Sequence, residues 1–120
     1  MPGKKIYMRL LSPERADEKN PDDKRVDRVE MDADMVIMRC VNGDWGVLPE
    51  HAPRSAVLDD DERGALVRVK DGDEERQFIV RGGLAEVRKR NENDDVSDEV
   101  VTVITILSGY AESAGTVTQA

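Results

Sequence analysis

The chain has 120 residues, enough for one domain, and its 26 acidic and 18 basic side chains give a formal net charge of -8. Such an acidic chain lacks the basic footprint that nucleic-acid phosphates require and the Lys- and Arg-rich face of a membrane-surface helix. Its single cysteine excludes an internal disulfide, and no apolar run approaches the ~20 residues of a membrane span.

The first third of the chain mixes strand patterns with charged segments. Residues 5–11 alternate apolar and polar side chains and predict a strand. Residues 12–25 are rich in charge and proline, which predicts an exposed loop. Residues 26–31 are ambiguous between strand and loop, whereas the apolar run of residues 35–41 predicts a second clear strand.

A hairpin is predicted around Asn42 and Gly43, because both residues tolerate the positive φ of a type I′ turn. Residues 44–48 form its returning strand, which ends at Pro49. The other predicted strands are residues 54–58, 65–70, 75–81, 84–88 and 100–107, with a hairpin turn at Asp71-Gly72, a kink or bulge at Gly82-Gly83 and a charged loop at residues 89–99. The almost wholly apolar last strand is expected to be buried on both faces. Many short strands without a helix pattern indicate an all-β sandwich or barrel.

Residues that could carry catalysis or bind a metal are few. His51 is the only histidine, so a histidine-based hydrolase must use it, and no spacing supports Ser12 or Ser55 as its nucleophile. One histidine and one cysteine do not form a zinc site, and the acidic runs match no EF-hand loop. We therefore expect no catalytic residue, no metal and no cofactor, with His51 as a turn residue.

Three other features each have a structural and a functional interpretation. Gly82-Gly83 could cradle a phosphate, but residues with strand character follow, which favours a bulge. Cys40 lies in an apolar run, which favours a buried side chain over a reactive thiol. Trp45 is equally well a partly buried cap on the sandwich edge or an interface anchor. The residues alone favour an interaction module over an enzyme.

The segment GDWGVLPEHAP, residues 43–53, resembles the G-[DE]-x-G-[VI]-x-P-G-H-A-P segment of F-type ATP synthase epsilon subunits. Flanking segments resemble that family in the same order: ADMVIMR at residues 33–39, FIVRGGLAEV at residues 78–87, and VTVIT at residues 101–105 followed by Ala111-Glu112. The resemblance covers about residues 4–112.

The resemblance implies a flattened ten-stranded antiparallel β-sandwich without substantial helix over residues 1–112, followed by a short flexible tail at residues 113–120. It implies a non-catalytic central-stalk subunit of the rotor, which links the gamma subunit to the membrane c-ring in ATP synthesis coupled to ion transport. Such a subunit is peripheral to the membrane on the cytoplasmic face of a bacterial cell and is expected to bind no nucleotide. A free-standing β-sandwich interaction module is the alternative.

The resemblance also implies two binding surfaces, carried over position by position. The residues expected to contact the c-ring loops are Asn42, Gly43, Asp44 and Trp45. The residues expected to contact gamma are Ser12, His51, Ala52, Pro53 and Ala56.

The chain departs from the family pattern in three places. Glu50 stands at the usual glycine of the corner, which is therefore expected to have an ordinary negative φ or to be slightly strained. The loop of residues 13–25 is longer and more charged than usual. Only eight residues follow Glu112, too few for the two-helix hairpin with which many members inhibit ATP hydrolysis. We therefore predict that this chain lacks helix-mediated inhibition of ATP hydrolysis and lacks ATP sensing.

Overall fold

Two five-stranded sheets pack face to face in the computed structural model, which describes residues 4–118. The strands are β1 (Lys5–Leu11), β2 (Arg28–Ala33), β3 (Met35–Cys40), β4 (Gly43–Val47), β5 (Arg54–Val57), β6 (Ala65–Asp71), β7 (Glu74–Arg81), β8 (Leu84–Lys89), β9 (Val100–Leu107) and β10 (Tyr110–Thr118). Sheet one has the order β2-β1-β9-β8-β5, and sheet two has the order β10-β7-β6-β3-β4. The described residues contain no helix, so the all-β sandwich is confirmed.

The core follows from the alternation of apolar side chains. Ile6, Met8 and Leu10 point inward from β1, while Val67 and Phe78 meet them from sheet two, and all five have 0% exposure. Fully burying such a side chain stabilises the fold by about 1.5–3 kcal/mol. Register is fixed by the same alternation, because a slip of one residue would turn the apolar set toward water.

The pairing of β1 with β9 differs from the predicted antiparallel sheets, because these two strands are parallel. β9 lies in the centre of sheet one, yet only one of its faces packs against sheet two. The prediction that β9 is buried on both faces is confirmed at Val103, which is 1% exposed. It is wrong at Leu107, which is 51% exposed. The outer face of sheet one is therefore a molecular surface that carries apolar side chains.

The first hairpin turn is not of type I′. Cys40 pairs with Gly43, so Val41 and Asn42 form the turn. Positive φ is found at Gly43, 114°, and not at Asn42. The second hairpin closes between Asp71 and Glu74, with a positive φ of 60° at its first central residue, as in a type II′ turn.

The glycine pair at residues 82–83 is a crossing between the sheets rather than a bulge within one strand pair. It joins β7 of sheet two to β8 of sheet one. Gly82 has a φ of 62°, and a Cβ on Gly83 would lie 2.7 Å from a Leu58 methyl carbon. The crossing therefore needs glycine both for its conformation and for close packing.

The expected flexible tail is wrong for residues 113–118, which continue β10 along β7. Their sequence has no apolar alternation, and their side chains are mostly exposed, so only the pairing with β7 marks them as a strand. The rest of the expected tail, residues 119–120, lies outside the described residues, as do residues 1–3 of the expected domain.

Candidate functional site

A groove of about 350 Å³ lies between the edges of the two sheets. β5 is the last strand of sheet one and β4 the last strand of sheet two, and the β3–β4 hairpin lies beside β5. The groove is lined by Cys40, Val41, Asn42, Gly43, Asp44, Trp45, Arg54, Ser55, Ala56, Val57 and Leu84. It therefore brings together all four residues expected at the c-ring and one, Ala56, expected at gamma.

Trp45 is a buried part of this site, with 8% exposure. The Arg54 guanidinium lies 4.7 Å from the centre of its ring, and the His51 ring meets it edge-on at 5.6 Å between ring centres. The structure thus favours the buried cap over the exposed anchor. Trp45 links the hairpin to the corner of residues 48–53 and to β5, so its truncation is expected to reduce stability.

His51 is held by two neighbours. Its Nδ1 lies 2.9 Å from the Ala52 carbonyl, and the Trp45 Nε1–H points at its Nε2 from 3.5 Å, the outer limit of a hydrogen bond. The carbonyl can only accept, so Nδ1 donates and Nε2 is the acceptor. Within residues 4–118 no serine or cysteine hydrogen-bonds to this imidazole, and the nucleophile–base pair of a hydrolase is not assembled.

The corner that carries His51 is strained, as one of the two alternatives for Glu50 predicts. Glu50 has a φ of 67° and is the non-glycine residue with positive φ among residues 4–118, so the ordinary negative φ is wrong. Its N–H donates to Thr102 Oγ1 at 2.9 Å, and the His51 N–H donates to the Leu48 carbonyl at 3.2 Å. The Thr102 hydroxyl of β9 and the Leu48 carbonyl accept these two bonds, and they hold the backbone in a conformation that glycine would adopt without strain.

The tip of the β3–β4 hairpin is open to solvent. Asn42, Gly43 and Asp44 are exposed. Arg39 Nε lies 3.6 Å from Asp44 Oδ1, but both side chains are more than half exposed, so the pair contributes little to stability. The tip thus presents the Asp44 carboxylate at the start of β4, next to the short turn, where it can contact a partner without a rearrangement of the core.

Other residues expected at gamma lie outside the groove. Ala52 and Pro53 are exposed between the corner and β5. Ser12 follows β1, where its hydroxyl donates to the Val26 carbonyl and its N–H donates to the Asp27 carbonyl at 2.9 Å. Sheet one separates Ser12 from Ala56 by the widths of β9 and β8.

The surface between these positions carries a row of exposed apolar side chains that sequence reasoning missed. Val57 pairs with Leu84, Leu84 with Leu107, and Leu107 with Leu11, and the Val57 carbonyl accepts the Val41 N–H at 3.2 Å. Exposure is 56% for Val41, 55% for Val57, 48% for Leu84 and 51% for Leu107, and these four residues are called the apolar rim. Contiguous exposed apolar groups mark interaction surfaces. The signal was present in Val57-Leu58 and Ile106-Leu107, because one of two adjacent strand residues must point outward.

The remaining groups considered for chemistry are the single cysteine and the acidic side chains. Cys40 is buried, and burial raises the pKa of its thiol. The described part of the chain contains no group of three His, Cys, Asp or Glu side chains placed to hold a metal ion. None of its elements is a helix long and apolar enough to cross a membrane.

The family model and the relatives found by comparison with known proteins agree on one family. The family model described as ATP synthase, Delta/Epsilon chain, beta-sandwich domain matches residues 23–93, which include the whole lining of the groove. The ATP synthase epsilon chain of Alkalihalophilus pseudofirmus is 46% identical over 57 residues, 48% of this chain and 40% of that protein. The sodium ion specific ATP synthase epsilon chain of Propionigenium modestum is 37% identical over 75 residues, 62% of this chain and 51% of that protein. The ATP synthase epsilon chain of Caulobacter vibrioides is 34% identical over 83 residues, 69% of this chain and 79% of that protein. The chain spans about half the length of the first two of these relatives, 40% and 51%.

Proposed function

Because the chain belongs to the ATP synthase delta/epsilon family through its β-sandwich domain, we propose that it is a non-catalytic subunit of the rotor that joins gamma to the c-ring. The subunit is peripheral to the cytoplasmic face of the membrane, where it takes part in ATP synthesis coupled to ion transport and binds no nucleotide. Its similarity to epsilon chains supports the assignment to this complex.

The apolar rim is the observation that carries the gamma contact. Its Leu84 and Leu107 lie on the two strands between β5 and Ser12, so a partner that reaches across this face from Val57 to Ser12 covers both, whereas Ala56 packs against the core and lines the groove. Burying these side chains would remove apolar surface from water, which is the main favourable term in protein association. His51, Ala52 and Pro53 flank the same edge and complete the proposed gamma surface.

The hairpin tip carries the proposed ring contact. Asn42, Gly43 and Asp44 are exposed at the end of the hairpin, and Trp45 anchors this hairpin beneath Arg54. A load applied at the tip therefore passes into both sheets rather than into a free loop.

Ion pairs and a hydrogen bond join the two sheets at one place on the surface. Lys5 Nζ of β1 lies 2.7 Å from Asp34 and 2.7 Å from Asp71, and the second Asp34 oxygen accepts the Gly72 N–H at 2.7 Å. This network ties sheet one to the β2–β3 connection and to the β6–β7 hairpin.

Co-purification tests the proposal. A tagged chain expressed in its own host should retain the gamma subunit at a ratio near one to one and should recover the c-ring with it. A free-standing interaction module, the alternative, would purify without either. Recovery of the chain without gamma under low-salt conditions would refute the rotor assignment.

A matched pair of variants tests the gamma surface. Leu107→Gln places an amide in the apolar rim, and Val117→Gln replaces another exposed apolar side chain by the same amide on β10, at 46% exposure against 51% for Leu107. We expect Leu107→Gln to weaken gamma binding by about tenfold, the effect of roughly 1.4 kcal/mol, and Val117→Gln to leave it unchanged. Equal binding by both variants would refute this placement of the surface.

Charge reversal at the hairpin tip tests the ring surface separately. Asp44→Lys should lower ion-driven ATP synthesis in membranes while gamma binding is retained. Asp73→Lys makes the same charge change on the β6–β7 turn and is the control. Normal synthesis with Asp44→Lys would contradict the ring contact.

A further inference from the structure

The outer face of sheet one holds a small pocket beside the apolar rim. Its volume is about 130 Å³, and it is lined by Ser55, Leu84, Glu86, Thr105 and Leu107. Strand pairing sets this arrangement, because Leu84 pairs with Leu107, while Glu86 pairs with Thr105 on β9 and with Ser55 on β5. The pocket is smaller than the about 300–1,000 Å³ of small-molecule sites, so its size suits a single side chain of a protein partner.

The carboxylate in this pocket has no counter-ion in the chain. Glu86 is exposed, and within residues 4–118 it forms no ion pair and accepts no hydrogen bond. Arg9 lies two strands away in the same row, and its Nε is 3.5 Å from the Glu30 carboxylate. Arg88 follows on the same strand and donates two hydrogen bonds of 2.8 Å to Asp94. The arginines beside Glu86 on this face are therefore paired with other carboxylates.

The rest of the lining defines which side chain fits. Ser55 is exposed and Thr105 is half-buried, and in the described part of the chain neither hydroxyl forms a hydrogen bond, so both can accept one. Leu84 and Leu107 supply the apolar wall. A basic side chain matches all of these groups, because its methylene stem packs on apolar surface while its charged head donates to oxygen atoms. An apolar side chain would instead remove the Glu86 carboxylate from water without a partner, which is costly.

We propose that this pocket binds a Lys or Arg side chain of the gamma subunit, with its methylene groups against Leu84 and Leu107 and its cationic head against Glu86. Complementary charges fix the register of two partners and exclude wrong ones. The apolar rim then supplies the buried area, and Glu86 determines how gamma lies on the rim. The inference rests on the proposed function, because it takes gamma as the partner.

Glu86→Gln tests the charge, because glutamine keeps the shape of the side chain. Asp32→Asn is the matched control: Asp32 points to the same face from β2, and its carboxylate also has no ion pair within residues 4–118. Both variants remove one negative charge. With the gamma subunit of the same ATP synthase as the probe, we expect Glu86→Gln to bind about tenfold more weakly than the unaltered chain and Asp32→Asn to bind equally well. Unchanged binding by Glu86→Gln, or equal losses in both variants, would overturn the inference.

Glu86→Leu distinguishes a basic occupant from an apolar one. Leucine extends the apolar rim, so an apolar side chain of gamma would bind this variant more tightly than the unaltered chain. A basic side chain would lose its partner and meet an apolar wall, so we expect binding at least as weak as that of Glu86→Gln. Tighter binding by Glu86→Leu would overturn the basic occupant.

The stability of the free chain controls for folding. Because Glu86 has no partner within the described residues, Glu86→Gln should melt within about 3 °C of the unaltered chain. A larger loss of stability would contradict the unpaired carboxylate on which the inference depends.

The outcomes separate this inference from the function on which it rests. Weakened binding by Leu107→Gln together with full binding by Glu86→Gln would overturn the basic side chain and leave the gamma surface standing. Failure of the unaltered chain to bind gamma would overturn both.

Discussion

The strained corner at Glu50 gives the sharpest test of the structure. A side chain in the left-handed region costs about 1–2 kcal/mol, whereas glycine there has no such cost. Glycine in turn lowers the free energy of unfolding by about 0.5–1 kcal/mol relative to alanine, because the unfolded chain has more conformational freedom at a glycine. The φ of 67° at Glu50 therefore predicts that Glu50→Gly is more stable than Glu50→Ala by about 0.5–1 kcal/mol. Both variants lose the carboxylate and its ion pair with Lys4, so their difference reports the backbone alone.

Thr116 supplies the control for this comparison. It is exposed on β10 and has negative φ, so alanine there should exceed glycine in stability by about 0.5–1 kcal/mol. Urea unfolding of the four variants measures both differences, and a melting experiment should show a gap of about 2–4 °C at each site. The same sign at Glu50 and Thr116 would refute a left-handed conformation at the corner.

Three further outcomes follow from individual contacts. Thr102→Val removes the acceptor of the Glu50 N–H and should cost about 1–3 kcal/mol in urea unfolding, while Thr102→Ser should keep most of the stability. Hydrogen bonds from Arg28 and Tyr7 lower the pKa of Glu30 from 4.5 to about 2, so their stabilisation is present above pH 4.5 and is lost as the pH falls toward 2. Glu30→Gln should therefore melt below the unaltered chain at neutral pH and converge with it at acid pH, and a constant gap would contradict this. Burial should slow alkylation of Cys40 by about tenfold or more relative to the urea-unfolded chain, and equal rates would contradict its place in the core.

The local sequence pattern was sufficient to predict most strands, because apolar alternation and turn residues depend only on neighbours in the chain. The predictions for β1 at residues 5–11 and β9 at residues 100–107 match the observed bounds. β10 was missed because residues 113–118 carry no apolar alternation and are held by β7. The hairpin turn type was wrong because Cys40 pairs with Gly43, which moves the positive φ to Gly43 alone.

The arrangement of the candidate residues could not be predicted from the sequence. The GDWG segment and the HAP corner were assigned to two surfaces, but the structure packs Trp45 against both His51 and Arg54 of β5. The apolar rim was missed because a strand pattern does not reveal which face of a sheet remains uncovered. The resemblance to epsilon chains identified the family but could not indicate the apolar rim.

The sequence by itself determined the short strands, most of the turns and the family, since each depends on residues close together in the chain. The tertiary structure decided that β1 and β9 run parallel, that Trp45 lies under Arg54, and that residues 39–41 pair with residues 57–59 at the end of β5. These are properties of strands that meet from distant parts of the chain. No local preference encodes whether a strand acquires a neighbour on its second side, because the whole sheet order sets that outcome.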